Sequence, residues 1–266
     1  MINALNLILK LIPKKNYSIA LTFHNISRND YKWFEKTLDH LSLNFDFVDP
    51  NNLDQVITNN ESKKIILTFD DGFKSNRVIT ENILNPRGLK ALFFITYGFI
   101  GLNEKESFEF ANKNYFPNSQ ILKKHSRDFL SLNWEDIKWL KENGHKIGAH
   151  TNSHPNLKNV KNNNELIKEI VKSADELENK IGTQVNTFAY PYGSLEYINS
   201  ESVSIVKKRF KEGYTNIRGG LQESPNNSLL LRQNISPSMP FWKVNAIVNG
   251  RLDWIYKNKI KALHKI

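Results

Sequence analysis

The sequence predicts a single α/β domain, and three observations lead there. Short apolar runs of the kind a strand buried on both faces needs alternate along the chain with segments of helical period. Several of those runs end abruptly in acidic or imidazole side chains, which places chemistry-bearing groups at the carboxyl ends of strands, the rim where α/β sheets and barrels collect them. The 266 residues contain neither an internal repeat nor a linker, which suits one large domain.

Taken in order, Ile2 to Ile12 is apolar and ends in Pro13-Lys14-Lys15. A secretion signal carries its charge before the apolar core and small residues after it, so residues 1–16 are expected to be an amphipathic segment without an export role. Residues 17–266 then form the folded domain. Tyr17 to Phe23 reads as a strand, Trp33 to Leu43 as a helix and Phe45 to Val48 as a short strand. Lys64 to Phe69 is a buried strand, broken at Gly72; a helix from Ser75 to Leu84 closes at Pro86 and Gly88, and Ala91 to Thr96 is the next strand. Residues 98–131 show little period and are expected to be a long rim loop. Beyond it come a helix over Trp134–Asn143, a strand over Lys146–Ala149, a helix over Asn164–Ile181, and a strand from Thr187 running into a Pro-Tyr-Gly turn. A helix over Ser202–Phe210, a strand over Leu229–Ile235 and one or two basic helices between Trp242 and Lys261 complete the chain.

Composition narrows the chemistry. Hydrophobic residues make up 39% of the chain and the mean hydropathy is −0.50, with no apolar run near the roughly 20 residues of a membrane-spanning helix. There is no cysteine, so any metal must be held by His, Asp or Glu. The net charge of +10 is spread over the whole chain and often paired at helical spacing, which reads as a solvated surface and not as a nucleic-acid footprint.

Asp70 and Asp71 follow a strand directly, and two adjacent carboxylates repel unless a cation or a shared proton absorbs the charge. His150 and His154 also follow a strand, at a spacing that lets two imidazoles grip one divalent ion from a helical turn or a tight loop. His24 ends the first strand in the same manner.

These pieces resemble a known family. T-F-D-D-G at 68–72, H-T-N-S-H-P at 150–155 and A-Y-P-Y-G at 189–193 are similar, in type and order, to the motifs of the polysaccharide deacetylases of carbohydrate-esterase family four. The resemblance implies a distorted, incomplete (β/α)7-type barrel and a metal-dependent hydrolase that removes acetyl groups from sugars. It further implies a divalent cation, zinc above all, held by Asp71, His150 and His154, with Asp70 as general base and the backbone N–H of Tyr192 donating to the oxyanion.

Two departures stand out. The third motif usually begins with an arginine that orients the base, and Ala189 stands there; Arg232 is the candidate replacement. The family usually takes its general acid from a late Leu-x-His, but the only late histidine is His264 in a lysine-rich tail. L-T-F-H-N-I at 21–26 resembles instead the N-terminal histidine motif of circularly permuted members such as the poly-N-acetylglucosamine deacetylases, which implies that His24 is the acid.

The expected activity is N-deacetylation of an acetamido sugar in a polysaccharide or glycan precursor, with a lipid-linked sugar in surface-polysaccharide synthesis as one substrate. The expected location is cytoplasmic, with peripheral contact at the inner membrane face. Two other readings stay open: a hydrolase of another amide or ester on the same barrel, and a glycan-binding protein that has lost turnover.

Overall fold

A computed structural model describes residues 11–53, 56, 63–117 and 129–266. Most of the amphipathic segment expected over 1–16 therefore lies outside the described residues. Among the described residues eight parallel strands form one sheet: β1 (Ile19–Phe23), β2 (Asp46–Phe47), β3 (Lys64–Phe69), β4 (Ala91–Ile95), β5 (Lys146–Ala149), β6 (Thr187–Ala189), β7 (Glu212–Tyr214) and β8 (Gln233–Asn234). The path runs β7-β6-β5-β4-β3-β1-β8, with β2 paired to β3 beside it. Leu230 bridges Tyr214 of β7, and three residues later Gln233 and Asn234 pair with Leu21 and Thr22 of β1. One short segment thus touches both edges of the sheet and curls it into the incomplete barrel that the sequence predicts.

The period of two along each strand sorts side chains between the barrel interior and the helical layer outside. Ile19, Leu21 and Phe23 of β1, Ile65, Leu67 and Phe69 of β3, and Ala91, Phe93 and Ile95 of β4 join the larger outer core. That core receives Phe34, Leu38 and Leu41 of α1 (Tyr31–Ser42) and Ile79 and Leu84 of α2 (Lys74–Ile79, continued as a wider turn over Thr80–Leu84). The residues between them, Ala20, Ile66, Leu92 and Phe94, form a smaller interior cluster with Ala189, Tyr214 and Leu230. The same alternation carried past the strand ends places Asp70 and His24 on the interior side of the rim. Gly148 of β5 faces inward because Phe94 fills the space: a Cβ there would meet the Phe94 ring at 2.6 Å.

The rim loop expected over 98–131 is not irregular throughout. Glu104–Asn114 is a helix, α3, started by a reciprocal cap in which Asn103 accepts from the Glu106 N–H and Glu106 accepts from the Asn103 N–H. Its aromatic flank packs as a separate cluster of Phe73, Phe99, Ala111, Tyr115 and Phe129. The helix escapes the apolar-period signal because its stripe is short and aromatic and faces this small cluster, not the main core. Residues 118–128 of the expected loop lie outside the described residues. β7 gave no signal either, being three residues of which Glu212 and Gly213 are poor strand formers.

The remaining helices agree with expectation to within a few residues: α4 (Trp134–Glu142), a continuous α5 formed by Asn163–Ile167, Lys168–Lys172 and Ser173–Ile181, α6 (Ser200–Arg209), α7 (Phe241–Val248) and α8 (Lys257–Leu263). No helix among the described residues is long and apolar enough to cross a membrane.

Candidate active site

Among the described residues, four that are not glycine have positive φ, namely Asp71 (78°), Thr151 (65°), His154 (59°) and Tyr192 (58°), and all four belong to the rim motifs. Such conformations cost of order 1–3 kcal/mol each and persist where the surroundings over-determine them. Asp71 and Tyr192 are the middle residues of three-residue turns, closed by Gly72 N–H to the Asp70 carbonyl (3.0 Å) and Gly193 N–H to the Pro191 carbonyl (2.6 Å). Gly193 also lies so close to Asn216 that a Cβ would meet its backbone nitrogen at 2.4 Å.

These turns bring Asp71, His150 and His154 together, all three buried. The Nε2 atoms of His150 and His154 lie 3.6 and 3.7 Å from the Asp71 Oδ1. Each ring is oriented from behind: His150 Nδ1 donates to the Ala189 carbonyl (2.8 Å) and His154 Nδ1 to the Asn114 carbonyl (3.3 Å), which leaves both Nε2 lone pairs aimed at Asp71. Burial and the neighbouring His150 push the His154 imidazole down to about 4, so it is neutral at pH 7.

The cluster fits a divalent cation. Asp71 Oδ1 is a buried acceptor without a hydrogen-bond partner, facing two imidazole nitrogens. Tetrahedral bonds of about 2.0–2.1 Å set ligand atoms roughly 3.3–3.5 Å apart, near the separations here. One carboxylate and two imidazoles with no thiolate suit zinc or a similar borderline ion.

Asp70 is 2% exposed and gripped by Arg232, which is fully buried. Arg232 donates from Nη1 to Oδ1 and from Nη2 to Oδ2, each at 2.7 Å, and from Nε to the Thr215 carbonyl at 2.7 Å. Burial alone would raise the Asp70 carboxyl, but the guanidinium outweighs it and holds the group at about 2. Arg232 is delivered by the segment that closes the barrel, and its guanidinium lies over the Phe94 ring at 5.3 Å, capping the interior cluster that includes Ala189. The position where the sequence pattern lacks an arginine is thus a small interior residue, and the cation arrives from across the barrel.

His24, Asp70, Asp71, His150, His154 and Tyr192 line one cavity of about 330 Å³, walled also by Tyr115, Phe116, Tyr190 and Asn216. Asn76, itself buried, donates to the His24 carbonyl (3.0 Å) and fixes the chain at that point. His264 lines a different cavity near the chain termini.

Sequence reasoning missed several supports of this site. Tyr115, at the end of α3, sets its ring edge-on to His154 at 4.9 Å and donates its hydroxyl to the Asp71 carbonyl (3.3 Å). Asn114 offers one carbonyl to both His154 Nδ1 and the Tyr192 hydroxyl. Glu169, on the widened turn of α5, accepts from the N–H groups of Asn152 (3.0 Å) and Ser153 (2.8 Å) and from the Ser153 hydroxyl (2.8 Å), clamping the loop between the two histidines. The spacing Asn103-x-x-Glu106 was the available signal for α3; nothing local marks Glu169.

An α/β barrel with a buried carboxylate–imidazole cluster and a second, arginine-paired carboxylate at its carboxyl rim defines the architecture of a hydrolase. The family model for polysaccharide deacetylases matches residues 58–211, more than half of the chain, and the chain belongs to that family, which makes it a sugar deacetylase of the carbohydrate-esterase kind. The matched range holds Asp70, Asp71, His150, His154 and Tyr192 but neither His24 nor Arg232. Comparison with curated protein sequences gives no match.

Among solved structures, IcaB from Ammonifex degensii superposes with a TM-score of 0.69 at 20% identity, over 88% of this chain and 97% of that one. The Streptococcus pyogenes deacetylase PplD, determined in complex with acetate, gives 0.66 at 20% identity, over 87% and 98%. A de-N-acetylase from Aggregatibacter actinomycetemcomitans gives 0.66 at 13% identity, over 87% and 100%. At these identities the likeness speaks to the fold.

Proposed function

We propose that the protein is a metal-dependent N-deacetylase of an acetamido sugar in a glycan or glycan precursor, with zinc held by Asp71, His150 and His154. The observation that carries this reading is the orphaned Asp71 Oδ1 facing two pre-aimed imidazoles, with a separate ionised carboxylate beside it. A divalent cation bound there supplies an acidified water and a polarised acetyl carbonyl.

The chain's own groups do the rest. Asp70 stays ionised at neutral pH and accepts the proton of the attacking water, while Arg232 fixes its plane. The Tyr192 N–H, on its strained turn, donates to the oxygen that becomes negative as the carbonyl carbon turns tetrahedral. His24, in the same cavity, gives a proton to the departing amine, a role that an imidazole can fill. Tyr192 and Phe116 offer partly exposed aromatic faces against which a sugar ring can lie.

The test is acetate release from a panel of N-acetylated and O-acetylated sugars by metal-stripped protein, with and without added zinc. Zinc-dependent release from N-acetyl sugars is the expected result. Release from non-sugar amides alone would favour another amide hydrolase on this barrel, and tight zinc binding without any turnover would favour a glycan-binding protein.

A further inference from the structure

Away from the site, exposed apolar side chains stand on Leu11 and on the turn that precedes the last helix. Leu11 is 83% exposed, Trp254 65% and Ile255 55%. Trp254 and Ile255 do not dangle. They sit on the short turn Asp253–Tyr256, whose first residue is buried and anchored: Asp253 accepts from the Tyr17 hydroxyl and from Gln233 Nε2 (3.1 Å). With Asp253 pinned inward, the next two side chains are presented outward on a rigid base.

The surroundings are cationic. From Arg251 to Ile266 the chain carries five Lys or Arg and one acid, the buried Asp253. Lys15 and Lys259 are engaged with Glu223 (2.6 Å) and Glu196 (2.8 Å), whereas Lys257, Lys261 and Lys265 have no ion pair among the described residues. Ile12, Pro13 and Trp254 share a cavity of about 600 Å³ with Lys257 and Lys261.

We propose that this end of the molecule is a docking surface for an anionic lipid bilayer. An exposed tryptophan and isoleucine with Lys257 and Lys261 beside the tryptophan match the interface, where an amphipathic ring sits at headgroup level and each nearby lysine adds attraction to anionic lipid. A protein partner would require acidic complementarity of fixed shape; a lipid surface requires only apolar depth and negative charge, and this patch has the matching pair of properties.

The placement also sets an orientation. Asp253 and Lys15 adjoin Tyr17, just before β1, while His24 follows its far end. Five strand residues, about 17 Å, separate the two levels. A bilayer touching the patch therefore leaves the mouth of the site on the side away from the lipid, so the substrate is a sugar that is free or projects well beyond the headgroups.

The experiment is co-sedimentation of the full chain with phosphatidylcholine vesicles and with vesicles also containing phosphatidylglycerol, at low and high salt, alongside Trp254→Ala/Ile255→Ser and Lys257→Glu/Lys261→Glu. Circular dichroism checks that both variants fold. The expected result is binding to the anionic vesicles only, weakened by salt, reduced by about tenfold or more in each variant, with acetate release from a soluble sugar unchanged. Absence of binding to anionic vesicles, or binding equal in wild type and both variants, overturns the proposal. So does a dimer in light scattering that Trp254→Ala/Ile255→Ser abolishes, since the patch would then be covered by a second copy.

Discussion

Both oxygens of Asp70 are taken by one guanidinium, across 162 residues of sequence, with both side chains almost fully buried. Removing one partner of such a pair leaves a buried, uncompensated charge, which costs about 3–5 kcal/mol. Arg232→Met is therefore expected to be strongly destabilised in urea unfolding, and Arg232→Met/Asp70→Asn to regain much of the loss, so that the double-mutant cycle is far from additive. In the same single variant the Asp70 carboxyl rises, and the acid limb of kcat/KM moves to higher pH; an unmoved limb would separate Asp70 from the catalytic proton. The sequence showed the acid pair, the histidine pair and the gap at Ala189, because each is local. It could nominate Arg232 only as a cation, since its contact with Asp70 exists only once the barrel closes.

His145 illustrates a second residue-scale effect. It is 3% exposed, its Nδ1 accepts from the Ala91 N–H (3.2 Å), and its Nε2 donates to Asn85 Oδ1 (2.9 Å), so the ring is neutral. Burial, helped by Lys90, lowers it to about 4 from an ordinary 6.5. A depressed folded value means that its stabilisation is complete above pH 6.5 and is lost as pH falls toward 4, by roughly 3 kcal/mol in all. Unfolding of wild type and His145→Gln across that window should show their stability difference shrinking as pH falls; a constant difference would mean that folding leaves the titration of the ring unshifted.

At the scale of elements, the site is assembled by strand ends but held by helices that the strand motifs do not reveal. α3 supplies Asn114 and Tyr115 behind His154 and Asp71, and the widened turn of α5 supplies Glu169 behind the His150–His154 loop. The long period of α5 was plain in the sequence, yet Glu169 looked like one more solvated acid on it, because its three donors come from a loop 16 and 17 residues earlier. Glu169→Gln replaces a three-bond acceptor by an amide with one acceptor oxygen. The expected outcome is zinc affinity lowered about 10–100-fold in a competition titration, with the apo-protein's circular dichroism unchanged; wild-type affinity would reduce Glu169 to a surface residue. Tight turns set the limit on the reading of α3 and β7, since short elements facing small clusters carry too few periods to be recognised.

At the scale of the whole molecule, the alternation of strand and helix predicts one α/β domain and the family resemblance implies the incomplete barrel, while the closure through Leu230, Arg232 and Asn234 is legible in neither, because that segment does two jobs in a few residues. The closing segment brings a base-holding arginine, and β1 at the same seam brings His24, so the seam of the barrel and the far half of the site are one structure. The central claim is that cation and base are separate parts: Asp71, His150 and His154 for one, Asp70 for the other. The most direct test is zinc binding and acetate release measured together on wild type and Asp70→Asn. The account predicts that one zinc stays bound in the variant while release falls by about a hundredfold or more. Unchanged release from Asp70→Asn, or loss of its zinc, would contradict the division.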